Sequence, residues 1–488
     1  QNISLEEFKN VFYKNNNNTE LTKEYLDEYM QLFINFKLKV KEADELGLDT
    51  IESFISELDG YRIQLAKPYL KNKEFDENML TEAYDRMKQD IKASHILISV
   101  DEKATAQQEK EAYDKALAVR SSILANTISF AAAAKKNSDD KSALTNDGNL
   151  SYFTAFMMVY DFESAAYGTE IGEISMPVKT KYGYHIIKVT DKRKACGEVK
   201  VAHIMFKSGQ GSDDKKLNEA KDKINKVSEL LKNGEKFSDV AERFSEDRST
   251  AVKGGSLPAF GVGKMVPEFE TVAFELKEIG DVSAPFRTEY GWHIITLLER
   301  KGIPKFEDIK VELKRKIESD SRGELSKQAL FAKLHTTYKV ESNPKVYTAF
   351  RMKASNTITT GTFSSSSKNN TRLVTINGKA IAVSSFVNYI LLNQKAGSDF
   401  DELYTAFVNQ ELLAYEESQL ETKYPEYKAL LQEYREGILL FDLTNTKVWT
   451  KAVEDTVGLQ NFFTANNSNY RWENRVDASV YSCIDLAT

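Results

Sequence analysis

The chain has 488 residues, 66 of them basic and 73 acidic, for a formal charge of −7. That balance argues against nucleic acid or anionic lipid as a partner. No apolar run approaches the roughly 20 residues of a membrane span, so no membrane insertion is expected, and the length predicts several domains. The only cysteines are Cys196 and Cys483, and whether they pair is left open. The first residue is Gln1 rather than Met, which reads as a removed signal peptide or a trimmed start.

In chain order the pattern begins helical. Leu21–Leu46 is amphipathic, with Leu32, Phe33, Phe36, Val40 and Ala43 on its apolar side. A second helix spans Thr50–Leu70 and a third leads into Ala93–Val100, which alternates like a strand. Gln107–Ala125 has helical spacing, and Gly183–Val189 is a short isoleucine-rich run that reads as a buried strand. The sequence then repeats itself, with a helix over Leu217–Leu231 and a strand over Gly291–Leu298. Phe306–Tyr338 is a single charged helix, and its His335 is an ordinary surface residue. Asn356–Thr371, containing Ser364-Ser365-Ser366-Ser367, is a polar loop. Thr375-Ile376-Asn377-Gly378-Lys379 followed by Phe386 reads as a strand turn entering a helix.

Four of the five histidines fall in two matched pairs, His95 with His185 and His203 with His293, each 90 residues apart. The first of each pair follows a small residue, in Ala93-Ser94-His95 and Val201-Ala202-His203. The second closes Tyr182-Gly183-Tyr184-His185 and Tyr290-Gly291-Trp292-His293. Asp140 and Asp247, the turns Asp147-Gly148 and Gly254-Gly255, and Thr180 and Thr288 recur in step. A period of this length marks duplicated domains, not solenoid units. In each copy the histidines sit on strands at opposite ends of the unit, and pairing those strands would bring the rings together.

A single histidine on an apolar strand is usually a core residue; four in a duplicated frame reverse those odds. Zinc fits poorly, because two histidines and one aspartate fall short of a closed site. No metal and no cofactor is expected. Met265 and Phe269, four apart, are read as sharing one helix face, where such pairs are more often core than pocket.

With these motifs assembled, each copy resembles a parvulin-type peptidyl-prolyl cis/trans isomerase domain. The second carries the fuller pattern: His203, Asp247, Gly254-Gly255, Phe260, Met265, Phe269-Glu270, Pro285, Thr288 and Gly291-Trp292-His293. The first departs at Asp147, where the second has Gly254, and at Phe156-Met157, which replace Gly263-Lys264. These changes put the shape of the first pocket in doubt and predict the second copy as the better catalyst. The resemblance implies that His203 and His293 form a hydrogen-bonded imidazole pair with Thr288, with Asp247 beside them. It implies a proline pocket of Leu257, Phe260, Met265 and Phe269. In the first copy these roles map to His95, Asp140, Thr180 and His185, with Leu150, Phe153, Met158 and Phe162 as pocket. The loops Val100–Thr105 and Gly209–Lys215 lack the arginine cluster that a phosphate would need, so phosphoserine-directed specificity is not expected.

A second, weaker repeat relates the two ends of the chain. Phe33-Ile34-Asn35, Glu42, Leu46 and Tyr61-Arg62 correspond to Phe407-Val408-Asn409, Glu416, Leu420 and Tyr434-Arg435. A helical module, two parvulin units and a returning helical module together resemble the SurA-type periplasmic chaperone family. The expected fold is α+β: two tandem parvulin domains, each a small antiparallel sheet with surrounding helices, flanked by mainly helical chaperone modules. The expected domains are residues 1–91 (helical), 92–195 and 198–301 (parvulin), 302–345 (a linking helix packing on the chaperone module) and 346–488 (mainly helical). Residues 1–91 and 303–340 are expected to share one apolar core. The resemblance implies a periplasmic isomerase and chaperone for unfolded or proline-containing polypeptide clients, acting beside outer-membrane protein assembly. The alternative is a non-catalytic holdase with degenerate parvulin domains.

Overall fold

The computed structural model describes residues 3–15, 22–101, 104–209, 211, 213–365 and 368–479. Leu21, Ser366, Ser367, Cys483 and parts of the loops Val100–Thr105 and Gly209–Lys215 lie outside them. The chain divides into two compact units: residues 72–330, and residues 1–71 together with 331–488.

In the 72–330 unit the strands predicted to carry the histidines pair as expected. Gln89–Ser99 runs antiparallel to Gly183–Lys194, placing His95 opposite Ile187 and Leu97 opposite His185. Glu198–Lys207 and Gly291–Lys301 repeat the register, with His203 opposite Ile295 and Met205 opposite His293. Each histidine pair therefore lies diagonally across neighbouring strands on one face of the sheet. Side-chain alternation divides the apolar residues between two cores. Ile96, Ile98 and Ile186 pack against the helices Ala106–Leu124 and Phe130–Asn137. Ala93, Ile187 and Val189 pack with the helix Tyr160–Gly168 on the histidine side. The second copy builds the same two cores.

The structure adds short strands that the pattern did not show. Asn149–Phe153 and Val178–Thr180 flank the first histidine strands, and Phe286–Thr288 the second. Three to five residues are too few for alternation to be read. The result is the expected α+β arrangement of small antiparallel sheets and surrounding helices.

Three expectations need correction. Phe306–Tyr338 is not one helix but two, Phe306–Ser319 and Ser321–Thr337, broken at Asp320 in extended geometry (φ −110°). The Asp320 carboxylate accepts the Arg322 backbone N–H at 2.7 Å, which holds the break. The shared core of residues 1–91 and 303–340 does not form as one. Leu313 and Ile317 pack on Met79, Leu80 and Ala83 of the helix Lys73–Met87, with Phe75, Tyr84 and Met87 at the margin. The earlier helices, Lys23–Glu45 and Glu52–Ala66, bury Val40, Ala43 and Phe54 against Ile438, Leu439 and Leu443 of Pro425–Thr444. An amphipathic face specifies that it must be covered, not by which segment. Finally, residues 356–359 of the expected loop are the last turn of the helix Pro344–Thr359.

In the other unit, Phe8, Phe12, Tyr29 and Phe33 form an aromatic cluster that seats the helix Leu5–Asn15 on Lys23–Glu45. Val340–Ser342, Arg372–Ile376 and Lys379–Ala382 make a three-stranded sheet. Its hairpin turns at Asn377 and Gly378, both with positive φ (46° and 90°), as the Asn-Gly pair requires. The helix Val383–Asn393 then buries Phe386 against Phe400 and Phe407. No helix among the described residues is long and apolar enough to cross a membrane.

Candidate active site

In both copies the first histidine strand places an imidazole against an aspartate that follows the helix Phe130–Asn137 or Phe237–Phe244. His95 Nε2 lies 2.9 Å from Asp140 Oδ2, and His203 Nε2 lies 2.8 Å from Asp247 Oδ2. The closing strand brings the second imidazole to a threonine: Thr180 Oγ1 to His185 Nε2 at 2.8 Å, and Thr288 Oγ1 to His293 Nε2 at 2.9 Å. The glycine turn makes this approach possible. A Cβ on Gly148 would sit 2.5 Å from the His95 carbonyl oxygen, and one on Gly255 would sit 2.3 Å from that of His203. The Asp147 departure costs the first copy little in shape. Asp147 takes φ 59°, close to the 63° of Gly254, and aspartate tolerates that left-handed region better than most residues.

The imidazole pairs differ. In the first copy His95 Nδ1 and His185 Nδ1 are 3.2 Å apart, within hydrogen-bond reach. With both rings neutral, His95 Nε2–H donates to Asp140 and its Nδ1 accepts from His185 Nδ1–H. His185 Nε2 then accepts the Thr180 hydroxyl, and Thr180 Oγ1 accepts the Tyr182 N–H at 3.1 Å. In the second copy the rings are further apart, 5.9 Å between centroids against 5.5 Å, and both Nδ1 atoms are buried without a hydrogen-bond partner. The hydrogen-bonded pair expected for His203 and His293 is thus found in the first copy instead. Thr250 supplies part of the reason. Its hydroxyl sits 2.9 Å from His203 Nε2 and 2.7 Å from Asp247 Oδ2, anchoring His203 from the far side. The first copy has Ala143 in the matching place.

Burial dominates the electrostatics. It lowers His185 to about 4, helped by the neighbouring His95 and opposed by Asp140. His293 is likewise lowered to about 4 by burial and His203. His203 is lowered by burial, against the pull of Asp247. Burial pushes Asp247 up, but hydrogen bonds from Ser249, Thr250 and His203 outweigh it and hold the carboxyl at about 2. At neutral pH His185, His203 and His293 are therefore neutral, beside ionised Asp140 and Asp247.

The predicted pocket residues gather on these rings. Phe162 stands edge-on to His185 (5.2 Å) and His95 (5.7 Å), in a cluster with Leu150, Phe153 and Met158. Phe269 does the same over His293 (5.6 Å) and His203 (6.1 Å), with Leu257, Phe260 and Met265. Met265 does not share a helix with Phe269, however. The helix begins at Pro267, and Val266 before it is extended (ψ 144°), as a residue preceding proline prefers. Met158 likewise precedes the helix Tyr160–Gly168.

The role of the glutamate after each phenylalanine was not legible in the sequence. Glu270, held above its usual range by burial, accepts the Gly263 N–H at 2.7 Å and so closes the loop before Met265. Glu163, fully buried, accepts the Phe156 N–H at 2.7 Å, Arg86 at 2.9 Å and Arg322 at 2.5 Å. Phe156 keeps the positive φ of Gly263 (67° against 74°) and lies under the Arg322 guanidinium at 4.3 Å. Phe156 thus anchors the first copy to the helices Lys73–Met87 and Phe306–Ser319. A cavity of about 700 Å³ remains there, bordered by Met158, Thr180 and Lys181 on one side and Lys316, Asp320 and Ser321 on the other. A charged residue recurring after a pocket phenylalanine in both copies was the available signal. Arg322→Met is expected to destabilise the 72–330 unit by about 3–5 kcal/mol, since it leaves Glu163 buried beside fewer cations. An unchanged denaturant midpoint would contradict that.

The antiparallel sheet, the diagonal histidine pair and the aromatic-lined cleft define a prolyl-isomerase fold of the parvulin class. The PPIC-type PPIASE domain (Rotamase) family matches residues 95–191 and 203–299, so the chain carries two parvulin domains in tandem. Over a longer stretch it is similar to Chaperone SurA of Alkalilimnicola ehrlichii, 30% identical over 258 residues, covering 50% of this chain and 58% of that protein. Chaperone SurA of Thiobacillus denitrificans is 32% identical over 233 residues, 47% of this chain and 52% of that protein. The chain spans about half the length of these curated relatives. Among solved structures, the parvulin NmPin of Nitrosopumilus maritimus is 38% identical, with 21% of this chain covering 97% of that one at a TM-score of 0.18. The chain is a tandem-parvulin protein similar to SurA chaperones.

Proposed function

We propose that this protein is a periplasmic chaperone that binds unfolded polypeptides and catalyses X–Pro isomerisation, chiefly at its second parvulin domain, in outer-membrane protein biogenesis. The observation that carries the reading is the enclosed arrangement of Phe269 over His203 and His293, with Asp247, Thr250 and Thr288 behind them. Isomerisation breaks no bond; it crosses a barrier of about 18–20 kcal/mol set by amide resonance. The twisted amide has lost that resonance and is less dipolar than the planar form, so a dry pocket favours it. In this proposal Leu257, Phe260, Met265 and Phe269 grip the proline ring. Asp247 and Thr288 hold the neutral imidazoles of His203 and His293 in place beneath it, as electrostatic preorganisation and not as nucleophiles.

In the first domain His95, Asp140, Thr180 and His185 take the same roles, with Leu150, Phe153, Met158 and Phe162 as pocket. Its groove opens toward the corner Lys316–Ser321, which supports peptide holding over turnover there. A fully non-catalytic holdase is the second reading. Turnover of a proline peptide by the full chain, measured beside suppression of client aggregation, separates the two. Phe269→Ala is expected to lower turnover far more than Phe162→Ala while aggregation suppression persists. Equal losses from both would overturn the ranking, and no turnover in the unmodified protein would leave the holdase.

A further inference from the structure

The two parvulin domains touch at the loops that border their pockets. Gly263, between Phe260 and Met265, has a left-handed backbone (φ 74°), and its N–H donates to Glu270 at 2.7 Å. Its other side faces the first domain. A Cβ added there would overlap Met157 Cε, and would lie 3.7 Å from Met157 Sδ and 3.5 Å from the Tyr152 carbonyl oxygen. Met157 is not free to swing at this point. Its sulfur accepts the Thr154 N–H at 3.4 Å, which folds the side chain back over its own loop. Its neighbour Phe156 is tied through its N–H to buried Glu163.

The junction around this contact is held in register. Ala195 N–H donates to the Lys88 carbonyl at 2.8 Å and Cys196 N–H to Asp90 at 3.4 Å, which pins the link between the domains. Arg193, paired with Asp90 at 3.2 Å, lies over Tyr152 at 3.7 Å and within 5.8 Å of the Phe274 ring in the second domain. The same arginine acts on Glu270: burial raises that carboxyl, and the Gly263 N–H and the Arg193 charge oppose the rise. The first domain thus reaches Gly263 by two routes, directly through Met157 and by charge through Glu270. The contact runs one way, because the second domain has exposed Lys264 where the first has Met157.

We propose that Met157 is a positioning residue for the second site, supplied by the first domain. Packed on Gly263, it restricts the 261–265 loop and so fixes Met265 against the proline ring; this rests on the reading of that site as the isomerase pocket. A loop carrying Gly261 and Gly263 has much backbone freedom to lose, and a thioether packed on it removes part of that freedom before substrate arrives. Such preorganisation strengthens ground-state and transition-state binding alike, so its loss raises KM and leaves kcat. Truncation that merely destabilised a domain would do the reverse, lowering apparent kcat through fewer active molecules at an unchanged KM.

The test is Met157→Ala in the full chain, with proline-peptide turnover measured beside hydrogen exchange over residues 261–265. KM is expected to rise about threefold to tenfold at constant kcat, with faster exchange at Gly263. Met157→Leu, which keeps the volume but not the sulfur, should hold KM within about twofold of the unmodified protein. Met157 also borders the first groove, so the substitution is repeated in a Phe269→Ala background, where its effect on KM should vanish because it acts through the second site. No turnover in the unmodified protein would sink the catalytic reading, and exchange alone would then decide whether Met157 holds the loop. Unchanged exchange over 261–265 in Met157→Ala, an unchanged KM in a protein that turns over, or a KM effect that persists in Phe269→Ala would overturn the proposal.

Discussion

Replacing Phe269 by alanine is expected to lower turnover at the second site by about tenfold to a hundredfold, the kinetic equivalent of losing one buried aromatic contact. The ring stands edge-on to both imidazoles and against Phe260 and Phe286, so its removal opens the proline pocket to water. It will also cost the domain about 3–5 kcal/mol as a core truncation, so turnover must be read on protein shown by thermal melt to be folded. Asp247→Asn should be milder. It keeps an oxygen to accept the His203 Nε2–H and a group of the same size, although it gives up the charge that strengthens three hydrogen bonds. His203 and His293 should act as a unit, the double alanine variant being little worse than the worse single one. If Asp247→Asn abolished activity in a folded domain while Phe269→Ala left it intact, an acid–base mechanism would have to replace the present one.

Thermal stability is expected to fall as pH drops from about 6.5 toward 4. His185 and His293 have folded values lowered from 6.5 to about 4, chiefly by burial. Both stay neutral in the folded protein where the unfolded chain already takes up protons. Their contribution is complete above pH 6.5 and is lost progressively as pH falls to about 4, on the order of 3 kcal/mol for each site. Asp247 acts in a different window. Its folded value is depressed from 3.8 to about 2, so its contribution is present above 3.8 and disappears only below that. Melting curves between pH 7 and pH 3 should therefore show a loss beginning near pH 6.5 and a further, separate loss below pH 4. A melting temperature constant from pH 7 to 4.5 would contradict the buried, neutral state of the imidazoles.

The local pattern of the chain carried a good deal. Alternation in Ala93–Val100 and the isoleucine run Gly183–Val189 located the two histidine strands, and a repeated interval located the second pair. The helices Ala106–Leu124 and Asp214–Lys232 lie within a few residues of where apolar spacing put them. These features are legible because a strand or helix period is set by neighbours along the chain. His95 with Asp140, His203 with Asp247 and each threonine with its histidine came together as the motif implied.

What only the tertiary structure decided depends on which distant surfaces meet. Thr250 joins the second site because a four-residue helix after Asp247 turns its hydroxyl back onto His203. Glu163 becomes an ionic hub because two arginines, one on either side of both parvulin domains in sequence, reach it from separate helices. The His95–His185 hydrogen bond and its absence between His203 and His293 rest on a difference of a few tenths of an ångström in ring separation, part of it from Thr250 standing where the first copy has Ala143. The amphipathic helices at the chain's ends advertised apolar faces, but many segments offer a matching face. Tyr61 meeting Tyr434, and Lys37 meeting Glu436, decided which two were paired.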